Sequence, residues 1–278
     1  IDAVGITKKN FPVSVAMKQA KLTDTGVKTH VDTVAGITAS VRLPETEKGT
    51  HMSRIASIVV ENLSRSSDCK YIIDLLVRMV REMDERLHGH GASVTISFDY
   101  FVPRRSPITR VGYEKAYRIH IVVDRRGDEV GVSIGVSADV MTLCPCSKEI
   151  SDRGAHNQRA MVDLMVKLKD YRKKVWFEDL IDIIDNSGSQ MLHTILKRPD
   201  EKYITETSYD NPKFVEDVAR DIVIGVFENI ENISGVRVIV QSHESIHPHD
   251  AFAMIEMTEY EYKLSKAVSY THLTLPTN

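Results

Sequence analysis

Apolar residues recur at every second position along several early stretches, and each such run predicts a strand. Between residues 27 and 44, Val27 and Val31 alternate with polar neighbours. Ile37, Ala39, Val41 and Leu43 then continue on one face until Pro44 stops the run. Residues 11–18, FPVSVAMK, supply a preceding strand. The period changes at residues 70–87, where Ile72, Ile73, Leu76, Met79, Val80, Met83 and Leu87 share one helical face. A further helix is expected to begin after Gly49, with Thr50 as its cap. Alternation returns in residues 92–102 (Val94, Ile96, Phe98, Tyr100, Val102) and 117–124 (Tyr117, Ile119, Ile121, Val123).

The second half reads similarly. Strands are expected over residues 128–141, 160–168, 235–241 and 251–258, and helices over 176–189 and 211–230. Asn211 is a suitable cap for the last helix, and Pro212 suits its first turn. The recurring order predicts an α+β fold of two tandem ββααββ-like units, with antiparallel sheets and helices on one face. The units are expected at residues 1–126 and 127–262, without a Gly/Ser-rich linker between them. Residues 263–278 form a tail whose end, SYTHLTLPTN, breaks the amphipathic pattern and reads as partly non-native. The chain opens on Ile1 without a methionine, so further residues are expected upstream.

Composition narrows the class. An apolar content of 42% against 27% charged residues predicts a packed chain rather than a disordered one. A net charge of -3 argues against a nucleic-acid surface, which needs clustered excess cations. No apolar run approaches the ~18 residues of a membrane span, and no signal peptide is visible. Three cysteines make no disulfide framework, so a cytoplasmic protein with reduced thiols is expected.

Three segments concentrate chemistry. In LCPCSKEISDRGAHNQR (residues 143–159), Cys144, Cys146 and His156 lie close together, and the only other cysteine is Cys69. If the segment stays extended, positions i and i+2 face one way, so both sulfurs could share a cleft. Lys148 is near enough to favour a thiolate. Two small core residues are an equally plain reading of the pair. In QSHESIHPHDAFA (residues 241–253), His243, His247 and His249 accompany Glu244 and Asp250, which is either a solvated loop or part of a metal-ligand set. The stretch from Leu196 to Asp217 is dense in carboxylates. Glu216 there adjoins the buried stripe of Val215, Val218 and Ile222; the residues alone favour an ordinary helix-surface glutamate, though a carboxylate there can also accept two hydrogen bonds from a guanine-like edge. Lys48, His51 and Arg54, and separately Arg104 and Arg105, are cationic groups able to hold phosphates or simply to be solvated.

The blocks LPETEKGTHMSR, CPCSKEISDRGAHNQR, LKRPDEKY, NPKFVED and ESIHPHDAFA resemble bacterial GTP cyclohydrolase of type IB over most of the chain. The resemblance implies a tunnelling fold in two copies, a homotetramer with active sites at subunit interfaces, and one divalent metal per site (zinc, Fe(II) or Mn(II)). It implies conversion of GTP and water to 7,8-dihydroneopterin triphosphate and formate, at the head of folate and deazaguanine pathways. Carried over residue by residue, it implies Cys144, Glu201 and His247 as metal ligands, with His156 and His249 as competitors for that role. It implies Cys146 and His156 as proton-transfer groups, Glu216 on the purine edge, and Lys48, His51 and Arg54 as substrate contacts. Related alternatives are an archaeal-type cyclohydrolase giving a cyclic phosphate and a nitrile reductase. A non-enzymatic alternative is a structural zinc clamp.

Overall fold

The computed structural model describes residues 1–23, 26–68, 70–87 and 90–272. Cys69 and residues 273–278 of the expected tail lie outside them. The chain forms two units, each drawn from separated stretches. One takes Ile1–Arg104, Gly112–Val136 and Asp170–Asp179; the other takes Arg105–Val111, Ser137–Lys169 and Leu180–Asn278.

The first unit contains β1 (Val4–Thr23), β2 (Gly26–Val41), α1 (Met52–Leu63), α2 (Ile72–Arg86), β3 (Ala92–Arg105), β4 (Gly112–Arg126) and the opening half of β5 (Glu129–Leu143). Its strands are hydrogen-bonded in that order. β2 and β3 pair antiparallel, with Ile37 opposite Ile96 and Ala39 opposite Val94. These four residues are fully or almost fully buried, as are Ile58 and Val59 of α1 and Leu76, Met79 and Met83 of α2. Burying each large aliphatic side chain contributes about 1.5–3 kcal/mol, and the alternation exists to direct them to one face. α1 starts slightly later than the Thr50 cap implies, with His51 as N-cap and no side-chain cap bond.

The second unit contains the rest of β5, α3 (Pro145–Ile150), β6 (Asn157–Leu168), most of α4 (Phe177–Ser187), β7 (Gln190–Met191), α5 (Arg198–Asp210), α6 (Val215–Asn229), β8 (Ile233–Ser242), β9 (Ala251–Thr258) and α7 (Glu259–His272). The strand order is β5-β6-β8-β9, and β7 pairs with β5. Val162, Leu164 and Val166 of β6 lie opposite Val240, Val238 and Val236 of β8. All six are buried, and α6 turns its own buried stripe of Val218, Ile222 and Val226 to the same core.

The tunnelling fold of two tandem ββααββ-like units is therefore corrected. The units interleave along the chain, since residues 105–111 belong with the second and 170–179 with the first. The second does not repeat the order either, because α4, α5 and α6 all separate β6 from β8. The physical reason lies in α3 and α5. α3 is a helix of six residues with no buried position, and α5 buries only Asp200, Ile204 and Ser208, so neither shows an apolar stripe. Asn211, expected to start the last helix, instead ends α5, and α6 begins at Val215 behind Phe214.

Candidate active site

β5 ends in buried Thr142 and Leu143, and its last residues are gripped from two sides. The Leu143 N–H donates to Ser189 Oγ (3.0 Å), and the Leu143 carbonyl accepts from the Lys213 N–H (3.0 Å). The Ser189 N–H donates to the Met141 carbonyl (2.8 Å). This approach needs Gly188, because a Cβ there would stand 2.7 Å from Val140 Cβ and 2.8 Å from the Met141 carbonyl oxygen.

The chain then turns at once into α3. Cys144 is the N-cap, and its Sγ accepts the Ser147 N–H at 3.4 Å, while Pro145 occupies the first turn, where its missing N–H costs nothing. Extended geometry therefore ends at Cys144, and the pairing of both sulfurs on one side of a strand is not adopted. Cys144 is half-buried and Cys146 exposed. After Gly154, whose φ of +131° favours glycine, the chain returns alongside α3. There the Cys144 N–H donates to the His156 carbonyl (3.1 Å) and the His156 N–H donates to Ser147 Oγ (3.2 Å). Ser147 Oγ itself donates to the Cys144 carbonyl (3.1 Å). His156 Nδ1 pairs with Gln158 Oε1 (3.0 Å), and the Gln158 amide donates to Thr142 Oγ1 (3.3 Å). Cys144 and His156 thus belong to one hydrogen-bonded knot, and Cys146 lies exposed on α3 between Cys144 and Ser147. Lys148 does not turn to the thiols: its Nζ donates to the Tyr209 carbonyl (2.5 Å) at the end of α5 and sits 4.4 Å above the Tyr209 ring.

A cleft of about 630 Å³ lies beside the knot. Asp152, Arg153 and Asn157 form one wall, and Thr205, Glu206 and Asp210 of α5 form the other.

The histidine loop leaves β8 next to this region, since the His243 N–H donates to the Arg159 carbonyl (2.8 Å). Gln241 Nε2 donates to Asp250 Oδ2 (2.9 Å), and His243 Nδ1 meets the same oxygen at 3.1 Å. The bond from Gln241, with lesser help from His243, holds the Asp250 carboxyl below its usual range. His247 and His249 are exposed and stack on each other, ring centroids 5.1 Å apart.

Glu201 is exposed on the first turn of α5, and Glu216 is exposed on the first turn of α6 beside buried Val215 and Val218. Lys48, His51 and Arg54 are exposed in the first unit, around the start of α1. The donors Cys144, Glu201 and His247 are of types that bind zinc or iron. Among the described residues, however, no three His, Cys, Asp or Glu side chains of one chain come together as a group able to hold a metal ion. By themselves the described residues of one chain do not gather a site for the metal.

One of the dense carboxylates between Leu196 and Asp217, which the sequence reading does not separate from its solvated neighbours, is not solvated. Asp200 is completely inaccessible. Its Oδ1 accepts the Ile108 and Thr109 N–H groups (both 2.8 Å), and its Oδ2 accepts Thr109 Oγ1 (2.6 Å) and the Lys197 N–H (2.9 Å). Burial pushes its carboxyl up, but the bonds from Thr109, Lys197 and Ile108 outweigh this and hold it well below the usual carboxylate range. The signal was the position of Asp200, third in a helix that opens on Arg198 and Pro199, where its carboxylate can accept the N-cap N–H.

Known proteins resemble this chain in two ways. In fold, it is similar to uricase from Arthrobacter globiformis (TM-score 0.54, 9% identity, 92% of this chain and 93% of that one). It is likewise similar to urate oxidase from Bacillus sp. TB-90 (TM-score 0.56, 9% identity, 93% and 100%). In sequence, it is 40% identical over 256 residues to GTP cyclohydrolase FolE2 of Halorhodospira halophila, covering 92% of each chain. It is 41% identical over 256 residues to GTP cyclohydrolase FolE2 of Kosmotoga olearia, covering 92% of this chain and 93% of that one. A family model described as type I GTP cyclohydrolase folE2 matches residues 1–253, and the chain belongs to that family.

Proposed function

We propose that this protein is a GTP cyclohydrolase I of folate biosynthesis, converting GTP and water to 7,8-dihydroneopterin triphosphate and formate. The observation that carries the reading is the match of residues 1–253 to the FolE2 family. The knot at Cys144–His156 supplies the chemistry that such a reaction asks for.

C8 of guanine is a weak electrophile, and protons must reach the imidazole nitrogens as water adds and the ring opens. Cys146 is exposed on α3, and half-buried His156 is hydrogen-bonded to Ser147 of the same helix, which suits them to deliver and accept those protons. Glu216 would hold the purine edge, and Lys48, His51 and Arg54 the triphosphate, from whichever copy completes the site. A divalent metal (zinc, Fe(II) or Mn(II)) is proposed on Cys144, Glu201 and His247. Because the described residues of one chain gather no such trio, the proposal goes with a homotetramer whose sites lie at subunit interfaces. No helix among the described residues is long and apolar enough to cross a membrane, and a cytoplasmic enzyme is proposed.

The test is anaerobic incubation of the purified protein with GTP, with and without added metal. Formate release and a product that keeps a linear triphosphate by phosphorus NMR are expected. A cyclic phosphate product, or NADPH oxidation with no GTP turnover, would replace this reading by one of its relatives.

A further inference from the structure

The carboxylate of Asp200 is unlike the other acids around it: Glu201, Glu206 and Asp210 are exposed, whereas Asp200 is fully enclosed, tied at once to distant Ile108 and Thr109 and to the start of its own helix. On one side lies the turn that follows β3. The Ser106 N–H donates to the Val111 carbonyl (2.9 Å), the Val111 N–H donates to Ser106 Oγ (2.9 Å), and Ser106 Oγ shares a hydrogen with Thr109 Oγ1 (2.9 Å). Ser106 is wholly buried, and Arg110 takes a φ of +58° to close the turn. On the other side lies the first turn of α5, where Asp200 accepts the Lys197 N–H and the Glu201 N–H donates to the Lys197 carbonyl (3.0 Å).

The only buried apolar side chain of α5 is Ile204, too little to hold a thirteen-residue helix by packing. Polar ties must do it. Lys148 holds the far end at the Tyr209 carbonyl, and the Asn211 amide reaches the Gly188 and Ser189 carbonyls (3.1 and 3.2 Å). At the near end Asp200 is the tie.

We infer that Asp200 is a positioning residue of the enzyme: it clamps the Ser106–Val111 turn to the first turn of α5, and so sets the place of Glu201 and of the α5 wall beside the cysteine knot. It touches no substrate and acts through the helix it anchors. The inference rests on the proposed role for Glu201.

Asp200→Asn has the same shape but puts an amide N–H₂ where an oxygen accepts two donors. Thr109→Val removes one of those donors and keeps the volume, and Thr109→Ser restores the hydroxyl. Activity is measured per folded molecule, well below each variant's melting temperature, with amide exchange at Ile108 and Thr109 as a readout independent of turnover. Asp200→Asn is expected to speed that exchange and to lower kcat by about 10- to 100-fold, with KM for GTP little changed, as a misplaced group does. Thr109→Val should show the same pattern more weakly, and Thr109→Ser should recover wild-type kcat. A variant Asp200→Asn that melts earlier yet turns over GTP at the wild-type rate per folded molecule overturns the inference and leaves the reading intact. Wild-type turnover in Glu201→Gln overturns the reading on which the inference rests.

Discussion

The cysteine segment and the histidine loop are both short polar stretches at strand ends, yet the second unit treats them differently. The segment from Leu143 to Gln158 is bonded to Ser189, to Lys213 and to itself, and a glycine is required behind it to let the chain approach. The loop from His243 to Asp250 is exposed from Ser245 onward, and its described ties are one backbone bond from His243 to Arg159 and those gathered at Asp250. Ordering a residue costs roughly 1–2 kcal/mol. The cysteine segment meets that cost in the folded chain alone. The histidine loop has fewer described bonds to meet it, which goes with the proposal that His247 binds a metal in a site completed by another copy.

The sharpest break between the two regions comes from the thiols. The Cys146 side chain is exposed and in no disulfide, so Cys146→Ala should lower kcat by about 10²–10⁴-fold or more without moving the melting temperature. Retained metal binding in that variant, measured by metal analysis, would separate its role from that of Cys144. Cys144→Ser tests the cap directly: serine is a preferred N-cap, so stability should hold within about 1 kcal/mol while turnover is lost. Full turnover by either variant would remove the chemistry assigned to the knot.

Gly188→Ala strikes the support beneath the cysteine segment. The new Cβ meets backbone and a β-branched neighbour below 3 Å, so a loss of about 1–3 kcal/mol is expected, or roughly 2–4 °C of melting temperature per kcal/mol. An unchanged melting curve would mean that the segment is less rigidly held than its bonds imply. Ser147→Ala removes one hydroxyl that serves both Cys144 and His156 and should cost about 1–2 kcal/mol.

In the histidine loop the same kind of change should do far less to the fold. His249→Ala is expected to stay within about 0.5 kcal/mol of the parent, as exposed substitutions do. The smallest effect is electrostatic. Asp250 has a folded pKa below its unfolded value near ~3.9, so its bonds to Gln241 and His243 stabilise the loop above that pH. They are lost as pH falls through the lower folded value. Amide exchange at His243 should therefore speed up in acid, and Asp250→Asn should abolish that dependence while leaving neutral-pH melting nearly unchanged.

Much of the strand pattern was legible because alternation is a local property that burial on one face imposes. Val94, Ile96, Phe98 and Tyr100 are all fully buried, and the residues between them are not. The long apolar helices α2 and α6 declared themselves by their stripes for the same reason. α3 and α5 escaped because no stripe exists to be seen. α5 is held by Asp200, Lys148 and Asn211, polar groups whose partners are far away in the chain, and a polar helix looks like a polar loop until those partners are known.

The amino-acid order by itself determined where strands and apolar helices form, and its motif blocks carried the family, since side-chain period and residue identity are written locally. Only the tertiary structure decided that the two units interleave, that Cys144 caps a helix rather than ending a strand, and that of two adjacent acids Asp200 is buried and Glu201 open. Ile108 and Thr109, which make that last distinction, lie 92 and 91 residues before Asp200. A carboxylate's environment is set by what folds against it, and nothing in its immediate neighbours states which groups those will be.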